Sequence, residues 1–392
     1  MGRWAEWVLR HRRWVILFWI AVILVGGGLS QKVNNRLTVD FSLPGQPGTD
    51  TANKIQSLLG NGGFTSPYLV TVTMPAGKTV TGNEAAVQQA FGAVDGSVPT
   101  QQLRVVDEAN TGDKTAFRTK DDRTAYAMVF WRFDHSPNAK LLTDPIKAAV
   151  SKASPAGATV GVTGEDVLAS GDSGGGPGVL GEVLLGAVGA LAVLAFVFAS
   201  FLALLPLMVA AASILATFLL LLPITYATHV SFIVEFLIAL IGLGVAIDYS
   251  LLFVTRWREE RDHGRDNHDA VVVAMQTAGR AIVFSGVTVA IGLLALITLP
   301  VPFMRSMGYG GALIPLASVL TTLTFTPAIL GGIGPKLDWP KIRHENRASR
   351  AWSRWAALVV KRRWIAAGLA VAVLAVLTGS LFGIKIGQSS SA

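Results

Sequence analysis

The sequence has no cysteine, which excludes disulfides and thiolate metal sites while leaving the compartment open. Charge is also scarce, with Asp, Glu, Lys and Arg making up 15% of 392 residues against 51% hydrophobic ones. The mean hydropathy is +0.50, and a soluble domain of this composition would expose too much apolar surface. No paired carboxylates, metal cluster or credible catalytic triad occurs, so an enzyme is not expected and no metal or organic cofactor is called for. A GDSGGGP segment at Gly171–Pro177 resembles the surroundings of a serine nucleophile. His135 is the only histidine in that region, however, and the strands are too few for the required scaffold, so the segment reads as a flexible linker.

What the chain does have is long apolar runs. Several reach the roughly 20 residues needed to cross a hydrocarbon core as helix, which makes it a polytopic α-helical membrane protein with about seven spans. The formal charge of +8 would suit nucleic acid, but its arginines flank the spans: Arg3, Arg10, Arg12 and Arg13, then Arg256, Arg258, Arg261 and Arg265, then the stretch 341–363. That distribution places these clusters and the N-terminus in the cytoplasm, and no nucleic-acid partner is expected.

Four regions follow. Residues 1–30 hold the basic N-terminus and a retained first span at Trp14–Ser30. Residues 31–176 alternate strand and helix signals in the order βαββαβ, that of an α+β ferredoxin-like extracytoplasmic module. Its strands are expected at Tyr68–Met74, Leu103–Asn110, Ala125–Phe133 and Thr159–Thr163, and its helices at Glu84–Val94 and Pro145–Lys152. Residues 177–333 hold spans two to six, with a break near Ser200–Pro206, a fifth span at Ile282–Leu299 after a short amphipathic helix ending at Arg280, an outer loop at Leu299–Gly311, and a sixth span at Ala312–Leu330. Residues 334–392 carry a basic linker and a seventh span. Trp4, Trp7 and Arg12-Arg13-Trp14 recur as Trp352, Trp355 and Arg362-Arg363-Trp364, which implies a duplicated architecture whose second half is truncated in this chain.

The candidate site lies in Ile241–Glu260, where Asp248 and Tyr249 interrupt an apolar run. Counted back from Arg256, Asp248 sits about two helical turns into the membrane. A charge there costs roughly 2.5–3.5 kcal/mol on insertion scales, so it is expected to face protein or water and to have a function. Gly242, Gly244 and Gly286 are expected to admit a neighbouring helix closely. Ser285 and Thr288 lie one turn apart in the fifth span; their hydroxyls either bond backbone one turn back or carry protons or water toward Asp248. Glu235 lies near the outer end of the fourth span, where it could snorkel.

The stretch GLGVAIDYSLLFVTRWREE, the Gly264 turn, Gly279-Arg280 and VFSGVTVAIGLLAL resemble the MMPL family of the resistance-nodulation-cell division superfamily, as do FSLPGQPGTD at 41–50 and LPVPFMRSMGYGGAL. The resemblance implies proton-motive-force-driven export of lipids or other hydrophobic molecules across the cytoplasmic membrane, with an extracytoplasmic porter domain after the first span. It also implies a proton relay at Asp248 and Tyr249, lined by Ser285, with the proton gradient in place of a cofactor. Membrane lipids and a hydrophobic or lipid substrate are the implied partners. A missing second half or partner chain would supply a second Asp-Tyr helix. Two alternatives stay open: a lipid-binding sensor like the sterol-sensing domains, and an inactive or scaffolding half-transporter.

Overall fold

The computed structural model describes residues 1–113, 116–132, 141–170, 178–339 and 350–381. The glycine-rich segment at 171–177, His135, much of the basic linker and the end of the chain lie outside them. Helix α1, Gly2–Arg10, is amphipathic and buries Ala5, Val8 and Leu9. After an elbow at His11 comes α2, Arg12–Asn34, which extends the expected first span at both ends. Helix α3, Pro47–Leu59, was not foreseen; it opens with proline in its first turn and closes on Gly60 at φ +74°, the left-handed stop that glycine adopts without strain.

The α+β part consists of β1 Tyr68–Thr73, α4 Glu84–Gly92, β2 Arg104–Val106, α5 Glu108–Thr111, β3 Thr124–Phe130, α6 Thr143–Ala153, β4 Thr159–Thr163 and α7 Glu165–Ser170. The sheet order is β2-β3-β1-β4, antiparallel throughout, with α4 and α6 between the strands as a βαββαβ unit requires. Tyr68, Val70 and Val72 alternate inward with Ala125, Ala127 and Val129, and pack against Val87, Phe91, Ile146 and Val150. The strand expected over 103–110 stops at Val106. The Asp107 carboxylate accepts the Asn110 amide proton at 3.1 Å, and the Asn110 side chain accepts the Asp107 amide proton at 3.0 Å. This reciprocal cap turns the chain into helix instead.

The helical part consists of α8 Gly178–Phe198, α9 Leu204–Ala227, α10 Ile233–Phe236, α11 Gly242–Asp262, α12 Asn267–Leu294, α13 Pro302–Leu337, α14 Arg350–Lys361 and α15 Arg363–Leu381. Among the described residues five helical stretches are long and apolar enough to cross a membrane: Arg12–Asn34, Phe201–Ala227, Ile233–Asp262, Asn267–Thr298 and Pro302–Leu337. Helices α8 and α15, 21 and 19 residues long, are further apolar helices at the positions of the second and seventh expected spans. The break between α8 and α9 lies where expected, with Ala199 at φ +48°. Between α10 and α11 the winding widens into a π turn at Leu237–Ile241.

Two expected boundaries move. The amphipathic helix and the fifth span are one rod, α12, because apolar periodicity continues through Arg280. The stretch read as an outer loop is already helix from Pro302: Gly308, Gly310 and Gly311 meet Leu293, Ile297 and Val234, so these glycines serve close packing rather than a turn. Helix α13 is the centre of the bundle and is buried continuously from Thr321 to Leu330.

Candidate functional site

Helix α11 turns Ala246, Tyr249, Ser250, Phe253, Val254 and Trp257 into the core. The opposite ridge, Gly244, Asp248 and Leu252, is exposed, as a 3.6-residue period requires for positions four apart. Asp248 therefore faces no protein among the described residues, because α9, α12 and α13 occupy the other sides of its helix. No hydrogen bond or ion pair joins it to another side chain among the described residues.

Its neighbour points inward. Tyr249 is 7% exposed, and its phenol lies 3.3 Å from the Ser285 hydroxyl on α12. Thr288 instead donates to the Phe284 carbonyl at 2.8 Å, the structural option, and both hydroxyl residues sit on an exposed face of α12. The structure thus brings Tyr249 and Ser285 together, leaves Asp248 on the open ridge of α11, and leaves Thr288 bonded to its own helix.

The three glycines separate. A Cβ at Gly286 would collide with Val319 and lie 3.6 Å from the Tyr249 ring, and one at Gly242 would lie 3.2 Å from Ile214. Nothing lies within 4 Å of such an atom at Gly244, so the expected helix contact is not made there among the described residues. Gly244 shares its open ridge with Asp248.

Glu235 does not snorkel; its carboxylate accepts from the Asn34 amide at 2.8 Å, which joins the fourth span to the end of α2. Nearby, the Arg36 guanidinium lies 3.7 Å over the Tyr226 ring and donates to the Thr225 carbonyl at 3.0 Å. At the other end of α11, Arg258 lies 2.9 Å from Asp338 with both side chains only 3% exposed. That contact is an ion pair by proximity, without hydrogen-bond alignment at Asp338 Oδ1. Arg258 also donates to the Phe198 carbonyl at 3.3 Å, and the Trp257 indole N–H donates to Asn267 at 3.1 Å. Sequence reasoning used Arg258 only as a basic flank; its partner lies too far along the chain for any local signal to find.

The sheet carries its own charge cluster. Arg118 is paired with Glu108, with Glu84 at 3.1 Å and with Asp122 at 3.4 Å. Hydrogen bonding to Glu108 raises the Arg118 pKa against the opposing effect of burial. The Asp122 carboxyl is held below its ordinary value, first by its hydrogen bond from Thr81 and then by Arg118.

Long apolar helices carrying an acid and a phenol at mid-length, with a small sheet inserted after the first of them, define a multi-pass membrane protein. The chain belongs to the MMPL family, whose model matches residues 40–364. It is 35% identical over 207 residues to the mycolic acid-containing lipids exporter MmpL11 of Mycolicibacterium smegmatis, an alignment covering 51% of this chain and 22% of that protein. It is 32% identical over 391 residues to a putative membrane protein of Streptomyces coelicolor, covering 95% of this chain and 52% of that one. A crystal structure of SecDF in its super-membrane-facing form aligns with a TM-score of 0.44 at 14% identity, over 84% of this chain and 38% of SecDF. The chain spans at most about half the length of these relatives.

Proposed function

We propose that the chain is one half of a proton-driven exporter of lipids or similarly hydrophobic molecules, with Asp248 and Tyr249 at the centre of its relay. The observation that carries this reading is an exposed carboxylate in the apolar part of α11, one residue from a phenol that is itself positioned by Ser285. An acid there is costly in lipid and is retained where protein or water covers it. The cover in this reading is a helix from further sequence or a second chain, packed on the Gly244–Asp248–Leu252 ridge. Protonation removes the charge and weakens that contact, and the helices then rock about it. Seven spans, a cytoplasmic N-terminus and an extracytoplasmic sheet acting as porter domain complete the proposal, supported by the arginine clusters at one end of the helices. The lipid class follows the M. smegmatis relative, an exporter of mycolic acid-containing lipids.

The test is export by the whole-length transporter in vesicles under an imposed pH gradient. Asp248→Asn is expected to abolish gradient-driven export while leaving membrane insertion intact. Wild-type export by that variant would remove the relay. Lipid binding that never depends on the gradient would favour the sensor reading.

A further inference from the structure

The proposed transport cycle makes no use of the elbow between α1 and α2, yet this is where aromatic side chains concentrate: Trp4, Trp7, Trp14 and Trp19 are four of the ten tryptophans in the chain. They are organised rather than scattered. Trp4 and Trp7 stack at 5.4 Å, and Trp7 continues onto His11 at 5.0 Å, giving one wall. Trp14 and Phe18, one turn apart on α2, give the other. Leu320 and Trp19 make the floor of a groove of about 440 Å³.

The indole N–H groups nearest α13 are already committed. Trp4 donates to the Leu323 carbonyl at 3.3 Å, and Trp19 donates to the Thr324 hydroxyl at 2.9 Å. The groove therefore presents ring faces, which suit an alkyl chain. The same elbow also helps to line a recess of about 610 Å³ that is walled by Arg10, Arg12 and His268 together with Glu6 and Asp266. One Asp266 oxygen is occupied by the Asp269 amide at 2.7 Å. The recess itself carries two arginines and two acids, but residues 1–19 hold four arginines and a single acid, so the elbow as a whole favours an anion over a headgroup that brings its own cation.

We infer that the α1–α2 elbow binds one anionic phospholipid, its phosphate between Arg10 and Arg12 and an acyl chain in the tryptophan-lined groove. The lipid would bridge α1 to the bundle's central helix, because Arg12 also donates to the Gly331 carbonyl of α13 at 2.7 Å. The inference rests on the proposed orientation only for which leaflet supplies the lipid.

The test uses the full chain purified in detergent and titrated with phosphatidylglycerol, phosphatidylcholine or inorganic phosphate, with bound lipid counted by native mass spectrometry. The wild type is expected to retain one phosphatidylglycerol in preference to phosphatidylcholine. Arg10→Gln should weaken phosphatidylglycerol about five-fold and the Arg10→Gln/Arg12→Gln pair roughly thirty-fold, at about one surface-arginine increment each, with phosphatidylcholine unchanged. Trp7→Ala should weaken both lipids. Arg12 bonds backbone and its loss could disturb the fold; Arg10 makes no hydrogen bond among the described residues, so the single variant decides in that case. Equal retention of the two lipids, an Arg10→Gln variant with undiminished preference, displacement by phosphate alone, or dimerisation that closes the groove to lipid would each overturn the inference. Because binding in detergent needs no gradient, Asp248→Asn should keep the lipid, which separates failure here from failure of the transport reading.

Discussion

Asp248 and Arg258 stand ten residues apart on one helix, about 15 Å along its axis, and they are treated in opposite ways. Arg258 is enclosed, paired with Asp338 and bonded to the end of α8. Asp248 is exposed and joined to no other side chain among the described residues. A buried charge with a partner ties helices together, and removing one member leaves the other stranded. An exposed charge in an apolar run contributes nothing of that kind to this chain, so its presence there points to a role outside the chain's own packing. The contrast separates a residue that holds the bundle from one that the bundle holds in place.

The comparison can be broken most sharply at Arg258. Arg258→Ala is expected to destabilise the detergent-solubilised chain by about 3–5 kcal/mol, read from its unfolding midpoint, whereas replacing both Arg258 and Asp338 with Met and Leu should recover most of that loss. If Arg258→Ala were no less stable than Asp248→Asn, the division between the two sites would be wrong. Next in size is Gly286→Val, whose side chain must displace Val319 and press on Tyr249; about 1–3 kcal/mol of overpacking is expected, together with a shift of the Tyr249 phenol resonance.

A smaller effect concerns the sheet. The Asp122 carboxyl has a depressed pKa in the folded state, so its contribution is present above the unfolded carboxylate value and is lost as pH falls through the folded one. Asp122→Asn, which keeps a residue tolerant of the φ of +51° found there, should lower the stability of the sheet at neutral pH. That difference should vanish in strong acid, as followed by amide exchange in β3. Smallest of all, Asp248→Asn should change stability by less than about 0.5 kcal/mol, and Gly244→Ala should cost nothing and add up to about 1 kcal/mol of helix propensity, since neither position is packed. A large loss for either would mean that their ridge is covered by protein in the purified chain.

Much of this was legible in the sequence because the signals were local. Alternating apolar residues located β1 and β4, and one apolar run too long for a single span located the break near Ser200–Pro206, next to the turn at Ala199. An acid followed by a phenol marked α11. What failed depended on what each residue meets. Gly244 and Gly286 read alike in sequence, yet only Gly286 lies under another helix. The glycines at 308–311 suggested a loop and are packing positions in α13. Asp107 looked like a strand residue until its side chain proved able to cap a turn. Pairings such as Asn34 with Glu235 and Arg258 with Asp338 join segments far apart in sequence, which periodicity does not record. For Asp248 the sequence pattern marked its place in an apolar helix but not its azimuth.

That azimuth is set in part by the π turn at Leu237–Ile241. A turn that holds one residue too many puts the two parts of the rod out of phase by about 100° relative to regular winding. Glu235, anchored to Asn34, lies on one side of the offset and Asp248 on the other. Tightening the turn to ordinary pitch while that anchor holds would swivel the lower part of the rod, carrying the carboxylate a quarter-turn around its axis without unfolding a single helix.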